Sequence, residues 1–171
     1  MPKKKQAGSN FFDLLREGTA ALRRGQTAKA VDLLERAQQL DSEHPDLILN
    51  LAGAYILAKK FNKAVTLLEP LSQREPHNPM VWTNLGAAYL GNPVLAADEH
   101  HQKAIAAFET ALELNPATPN VAYNLGLIYL DRQEVDRALY WFQRAVRLNP
   151  SDRDARNYIK KLTARVSAED D

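Results

Sequence analysis

The sequence predicts an all-α fold, an array of stacked helical hairpins, and three observations carry that prediction. The first is a fixed period. Small residues stand at Gly18, Ala52, Gly86 and Gly126, separated by 34, 34 and 40 positions, and alanines at Ala30, Ala64, Ala104 and Ala138, separated by 34, 40 and 34. Prolines follow at Pro76, Pro116 and Pro150, separated by 40 and 34. One 34-residue unit therefore recurs, with six extra residues between Gly86 and Ala104. A period of this length means stacked supersecondary units, each touching only its neighbours. The second observation is apolar spacing at the helical period without strand signals. The third is a capping residue followed by proline at unit boundaries: His44-Pro45, Asn78-Pro79 and Thr118-Pro119. Asn and Thr accept from the free amides of a helix start, and proline tolerates its first turn.

The elements follow in order. Residues 1–10 are basic and polar, Lys3-Lys4-Lys5 included, and read as a disordered lead. From Phe11 the apolar residues Leu14, Leu15 and Leu22, then Val31, Leu34 and Ala37, fall on helical faces, with Gly25 marking the turn between two helices. Units are expected at 11–44, 45–78, 79–118 and 119–152. Pro70 sits inside the second helix of unit two. Its ring should press on the carbonyl of Thr66 and kink that helix. In the longer third unit, Gly91 suits a helix C-terminus, Asn92 an N-cap and Pro93 a first turn. The six extra residues then lengthen the second helix by nearly two turns. Residues 153–166, with Tyr158, Ile159 and Leu162, read as a helix capping the last apolar face, and 167–171 as an acidic tail.

Composition sets outer limits. The 171 residues carry a formal charge of +1, which gives no general reason to attract nucleic acid or an acidic membrane. No cysteine is present, which excludes disulfides, thiolate catalysis and thiolate-bound zinc. No apolar run approaches the roughly 18 residues of a membrane span. The basic opening resembles the charged part of a signal peptide, but no apolar stretch follows it, so the expected compartment is the cytoplasm.

Within the units, the third reads Trp82, Leu85, Gly86, Tyr89, Ala104, Phe108, Ala111, Pro116. The fourth reads Leu125, Gly126, Tyr129, Ala138, Phe142, Ala145, Pro150. This resembles the tetratricopeptide repeat (TPR) family, whose 34-residue pattern it follows. The resemblance covers residues 11–152 and implies a right-handed α-solenoid of four hairpins plus the capping helix. Earlier units follow the pattern less closely. Ala21 replaces the tyrosine and Ser42 the proline of unit one, and unit two has Ala52 for the glycine and Leu71 for a small alanine. Glycines and alanines are expected to let paired helices approach. Tyr89, Tyr129, Phe108 and Phe142 are expected to fill the space between successive hairpins.

In this family the first helices of successive hairpins line a groove that receives partners. The resemblance places Arg16, Asn50, Asn84 and Asn124 at the sixth position of each first helix, flanked by Leu49, Thr83, Tyr123 and Leu127. Leu15, Ile56, Ala87, Leu90 and Leu130 fall on the same lining. A carboxamide both donates and accepts, so three amides at repeat spacing could hold the backbone of an extended peptide. The alternative is that these amides meet only water. The family's clamp for acidic chaperone tails needs Lys and Arg. Its positions here hold Leu15, Thr19, Asn50, Met80 and Asn84, or Leu49, Gly53, Asn84, Asn120 and Asn124, and no cation.

No chemistry is expected. There is no phosphate loop, nucleophile elbow or metal-ligand cluster, so the reading is a non-enzyme without cofactor or metal. His100 and His101 are adjacent, point about 100° apart on a helix, and read as part of a solvated polar turn. His44 and His77 are read as capping or solvated boundary residues. Asp32/Glu35 and Asp131/Glu134 read as solvated acids. Arg153, Arg156, Lys160, Lys161 and Arg165 crowd the last helix, which leaves an acidic partner or RNA open beside an ordinary solvated cap. The functional expectation is a protein-binding adaptor. Its rivals are a homo-oligomer whose trough receives a segment of another copy, Phe11 and Phe12 included, and an RNA accessory module.

Overall fold

A computed structural model describes residues 10–91 and 98–169, and among these it holds nine α-helices and no strand. They are α1 (Phe11–Arg23), α2 (Thr27–Gln38), α3 (Pro45–Leu57), α4 (Phe61–Arg74), α5 (Pro79–Leu90), α6 (Asp98–Leu114), α7 (Val121–Asp131), α8 (Val135–Leu148) and α9 (Arg153–Glu169). The chain divides after Arg74 into two compact units. The expected lead at 1–9 and residues 92–97, including the expected cap Asn92 and Pro93, lie outside the described residues.

In the first unit α1 pairs with α2 and α3 with α4, and α2 also packs on α3. Leu34, Leu47, Leu51 and Leu68 are fully buried between them. Asn10, counted with the lead by sequence, caps α1 instead: its Oδ1 accepts from Asp13 N at 2.9 Å. Gly18 lies against Leu34, where a Cβ would stand 2.6 Å from Leu34 Cγ. Helix α4 contains Pro70 and runs on to Arg74. Arg74 reaches back to Glu43, bonding its carboxylate and, at 3.0 Å, its carbonyl oxygen.

The turn inside each regular hairpin uses one device. In the first, Gln26 N bonds Ala21 O at 2.9 Å and Gly25 N bonds Leu22 O at 2.9 Å, with Gly25 at φ 69°. Lys60 N to Tyr55 O at 2.8 Å and Glu134 N to Tyr129 O at 2.8 Å repeat the longer bond. There the left-handed residues are Lys59 at φ 58° and Gln133 at φ 61°. This is the Schellman arrangement, which favours glycine at the left-handed position. Gln133 is exposed, so Gln133→Gly is expected to relieve that strain and raise stability by a net of about 0.5–1 kcal/mol in a denaturant melt. The third hairpin departs from the device. Gly91 at φ 57° closes α5, as the sequence suggests, and α6 runs 17 residues against 12 and 14 in α2 and α8.

In the second unit α5 pairs with α6, α7 with α8, and α9 packs on α8. Phe108 and Phe142 are its largest fully buried side chains. A Cβ on Gly86 would stand 2.7 Å from the Phe108 ring, and one on Gly126 2.7 Å from Phe142. Both phenyl rings therefore pack inside their own hairpin, against the glycine of its first helix, in addition to the space between hairpins where the sequence places them. Phe142 also reaches onward, stacking on Tyr158 of α9 at 4.7 Å. Thr118 does not cap α7, contrary to expectation. It is buried, its hydroxyl donates to Asn115 O at 2.7 Å, and the helix starts after Asn120, which adopts φ 65°. Helix α7 begins only at Val121, with Asn120 in the N-cap position, so Thr118 lies two residues too early to cap it. Asp152 supplies the corresponding cap on α9, accepting from Ala155 N at 2.9 Å. Helix α9 continues to Glu169, so part of the expected acidic tail is helical.

Candidate functional site: the first-helix face of each unit

In the first unit the candidate residues are committed to their own helix. Arg16 is exposed and pairs with Asp13 at 2.8 Å, one turn back. Asn50 is half-buried, and its Nδ2 donates to Asp46 O at 2.7 Å. Leu49 beside it is half-buried. This amide keeps its acceptor available, but one donor is spent locally.

The second unit differs. Asn84 on α5 and Asn124 on α7 hold equivalent repeat positions and are half-buried. Among the described residues neither carboxamide makes a hydrogen bond within the fold, so each retains two donors and an acceptor. Their neighbours are less available than the sequence implies. Thr83 is buried, and its hydroxyl donates to Pro79 O at 2.7 Å. Tyr123 packs edge-on to Phe142 at 5.8 Å and lies 6.3 Å from Tyr158, so much of its ring serves the join between α7, α8 and α9. Burial raises the Tyr123 phenol pKa above its ordinary value, with nearby Tyr158, Asp154 and Asp152 adding to it. Leu127 and Ala87 stay half-buried beside the two amides, and Leu90 is buried.

Several polar groups behave otherwise than the sequence suggests. His101 is not solvated: only 3% of it is exposed, and its Nε2 lies 3.6 Å from Asp131 Oδ2. Helix α6 turns this residue toward the C-terminal end of α7, while His100 next to it faces outward. His44 holds the N-cap position of α3, but its side chain makes no capping bond and is not solvated at Nδ1. Its ring lies 5.0 Å from Phe11, and that buried nitrogen has no partner among the described residues. Asp131 faces His101, and Glu134 bonds Arg132 and Arg137, each at 2.8 Å.

Glu35 is also more than a solvated acid. It accepts from Tyr55 Oη at 2.8 Å, and Lys63 stands 3.5 Å away while also lying over the Tyr55 ring. The Tyr55 hydrogen bond, aided by Lys63, holds the Glu35 carboxyl below its ordinary pKa, with partial burial opposing. Burial and the same carboxylate push Tyr55 upward. The linkage has one sign. A carboxylate whose pKa is lower folded than unfolded stabilises above its unfolded pKa, and that contribution fades as pH falls through the folded value. Tyr55→Phe is expected to raise the Glu35 midpoint in an NMR titration and to shrink the acid-side loss of stability.

No group of three or more His, Cys, Asp or Glu side chains suited to a metal occurs among the described residues. Nor is any helix among them long and apolar enough to cross a membrane. Two family profiles match the sequence, over residues 21–89 and 93–153, and both describe the tetratricopeptide repeat. The chain belongs to the TPR family. Solved structures agree on the fold. A thermophilic TPR protein of Thermus thermophilus aligns with a TM-score of 0.78 at 22% identity, covering 91% of this chain and 82% of that one. MamA from Desulfovibrio magneticus RS-1 aligns with a TM-score of 0.71 at 21% identity, covering 94% and 88%. Among curated proteins, Anaphase-promoting complex subunit 3 of Schizosaccharomyces pombe is 35% identical over 57 residues, which is 33% of this chain. The chain matches only 9% of that relative's length. A TPR array of this kind is a protein–protein interaction module.

Proposed function

We propose that this TPR chain is a non-catalytic adaptor that holds an extended peptide along the first helices of its hairpins. Asn84 and Asn124 are the groups that grip the peptide backbone. One observation carries the reading. Thr83 beside Asn84, and Asn50 in the first unit, are bonded to their own helices, whereas the half-buried carboxamides of Asn84 and Asn124 make no bond within the described fold. A half-desolvated amide left without a partner in the free protein gains most when a peptide N–H or C=O arrives. Leu127 and Ala87 supply apolar contact beside them, while in the first unit Asn50, beside Leu49, keeps its acceptor and one donor for a ligand and Arg16 is paired with Asp13. Repeat units 11–44, 45–78, 79–118 and 119–152 are the modules of this reading, with α9 closing the array.

The test compares affinity capture by the intact chain and by an Asn84→Ala/Asn124→Ala variant, followed by titration of a captured partner. Two lost hydrogen bonds at about 0.5–1.5 kcal/mol each predict a weakening of about five- to 150-fold with helicity unchanged. Equal affinity returns both amides to solvent. Self-assembly is the second reading, and it is favoured by Phe12, which is 69% exposed beside Phe11. Light scattering of the intact chain against Phe12→Ala separates the two: a monomer in both removes the self-assembling role.

A further inference from the structure

Helix α9 is built as the opening helix of another hairpin rather than as a featureless cap. Shifted by one repeat, its buried Ala155 and Leu162 fall on Val121 and Ile128 of α7, also buried, and half-buried Ile159 falls on Leu125. The same shift sets Arg156, Lys160 and Thr163 on Ala122, Gly126 and Tyr129. In α7 the Gly126 position meets the second helix of the hairpin, with Phe142 against it. In α9 all three equivalents are exposed, as is Arg153 at the start of the same flank. The Arg153, Arg156 and Lys160 side chains make no ion pair among the described residues.

We propose that this flank of α9 receives an acidic helix from a partner protein, lying where α8 lies against α7. The three cations fall at i, i+3 and i+7 within about 10 Å of helix, so carboxylates on one face of an antiparallel or parallel helix can meet all three. Thr163 and Ser167 continue the flank as hydrogen-bonding groups, and both are exposed. A nucleic acid fits the flank less well. It carries no aromatic side chain to stack on bases, since Tyr158 is already stacked on Phe142, and the chain's net charge of +1 supplies no wider field. A membrane fits no better, because nothing apolar on this flank could enter it.

The test titrates the full chain with a synthetic helical peptide bearing glutamates at i, i+3 and i+7, and with its glutamine counterpart, at low and physiological salt. The glutamate peptide is expected to bind, the glutamine peptide not, and salt to weaken the complex. Arg153→Glu/Arg156→Glu/Lys160→Glu is expected to lose about tenfold or more. Arg24→Glu/Lys29→Glu/Lys59→Glu makes the same change in net charge on the first unit and is expected to leave the affinity within about twofold. The milder Arg153→Ala/Arg156→Ala/Lys160→Ala variant guards against misfolding and is expected to weaken binding to an intermediate degree. No binding by the parent, or equal loss in the two charge reversals, overturns the proposal. So does a single-stranded RNA oligonucleotide that binds more tightly than the peptide and is lost in the α9 variant.

Discussion

Phe142→Ala is expected to cost about 3–5 kcal/mol, the range for deleting a fully buried aromatic side chain. Three features put this residue at the upper end. The ring lies over Gly126 within its own hairpin, meets Tyr123 edge-on at 5.8 Å, and stacks on Tyr158 of α9 at 4.7 Å. Its loss therefore opens a cavity and undoes the aromatic join that holds the last helix. Phe108 is equally buried over Gly86. Urea denaturation followed by circular dichroism measures the cost, and a loss below about 1 kcal/mol would mean that the neighbours collapse into the gap.

Gly126→Leu is expected to destabilise by at least about 1–3 kcal/mol, the usual cost of overpacking. A Cβ alone would sit 2.7 Å from Phe142 Cδ1 and Cε1, and the ring cannot retreat because Tyr158 is stacked on it. The chain also shows how the clash can be relieved. Gly18 faces Leu34, and unit two carries Ala52 with fully buried Leu68 at the matching positions. Gly/Phe, Gly/Leu and Ala/Leu are thus three solutions to one contact. Gly126→Ala combined with Phe142→Leu should consequently cost less than the two single changes added together, by about 0.5–3 kcal/mol of coupling. Strict additivity would show that this glycine does not meet that ring.

These two sites explain why so much of the fold was legible. Close contact between paired helices forces small residues to recur at one spacing, so the period and the hairpins are legible in Gly18, Gly86, Gly126 and the alanines, and the final helix in Tyr158, Ile159 and Leu162. The turn at Gly25 was visible because glycine relieves a left-handed residue, while Lys59 and Gln133 adopt that conformation without any sign in their chemistry. Thr118 resembled a cap because Thr-Pro commonly opens a helix. Its burial depends on tertiary packing that no local pattern records, and its hydroxyl serves the Asn115 carbonyl instead. His101 was read as solvated for the same reason, since the residue that faces it, Asp131, lies thirty positions away on α7.

The site was less legible than the fold. Repeat arithmetic places Asn50, Asn84 and Asn124 at one position, and nothing in the sequence separates them. The structure does: Asn50 donates to the carbonyl of Asp46, and the other two amides are uncommitted within the described fold. Asp46 provides only a backbone oxygen to this bond, so the difference lies in side-chain rotamer rather than residue type.

The most direct test observes those amides themselves. In a proton–nitrogen correlation spectrum, the side-chain NH2 signals of Asn84 and Asn124 can be followed as a captured partner peptide is added. Both pairs are expected to shift together and saturate with the binding curve, along with backbone signals of α5 and α7. Saturation with those amides unmoved, and with the shifts confined to α6 and α8, would contradict the assignment of the first helices as the binding face.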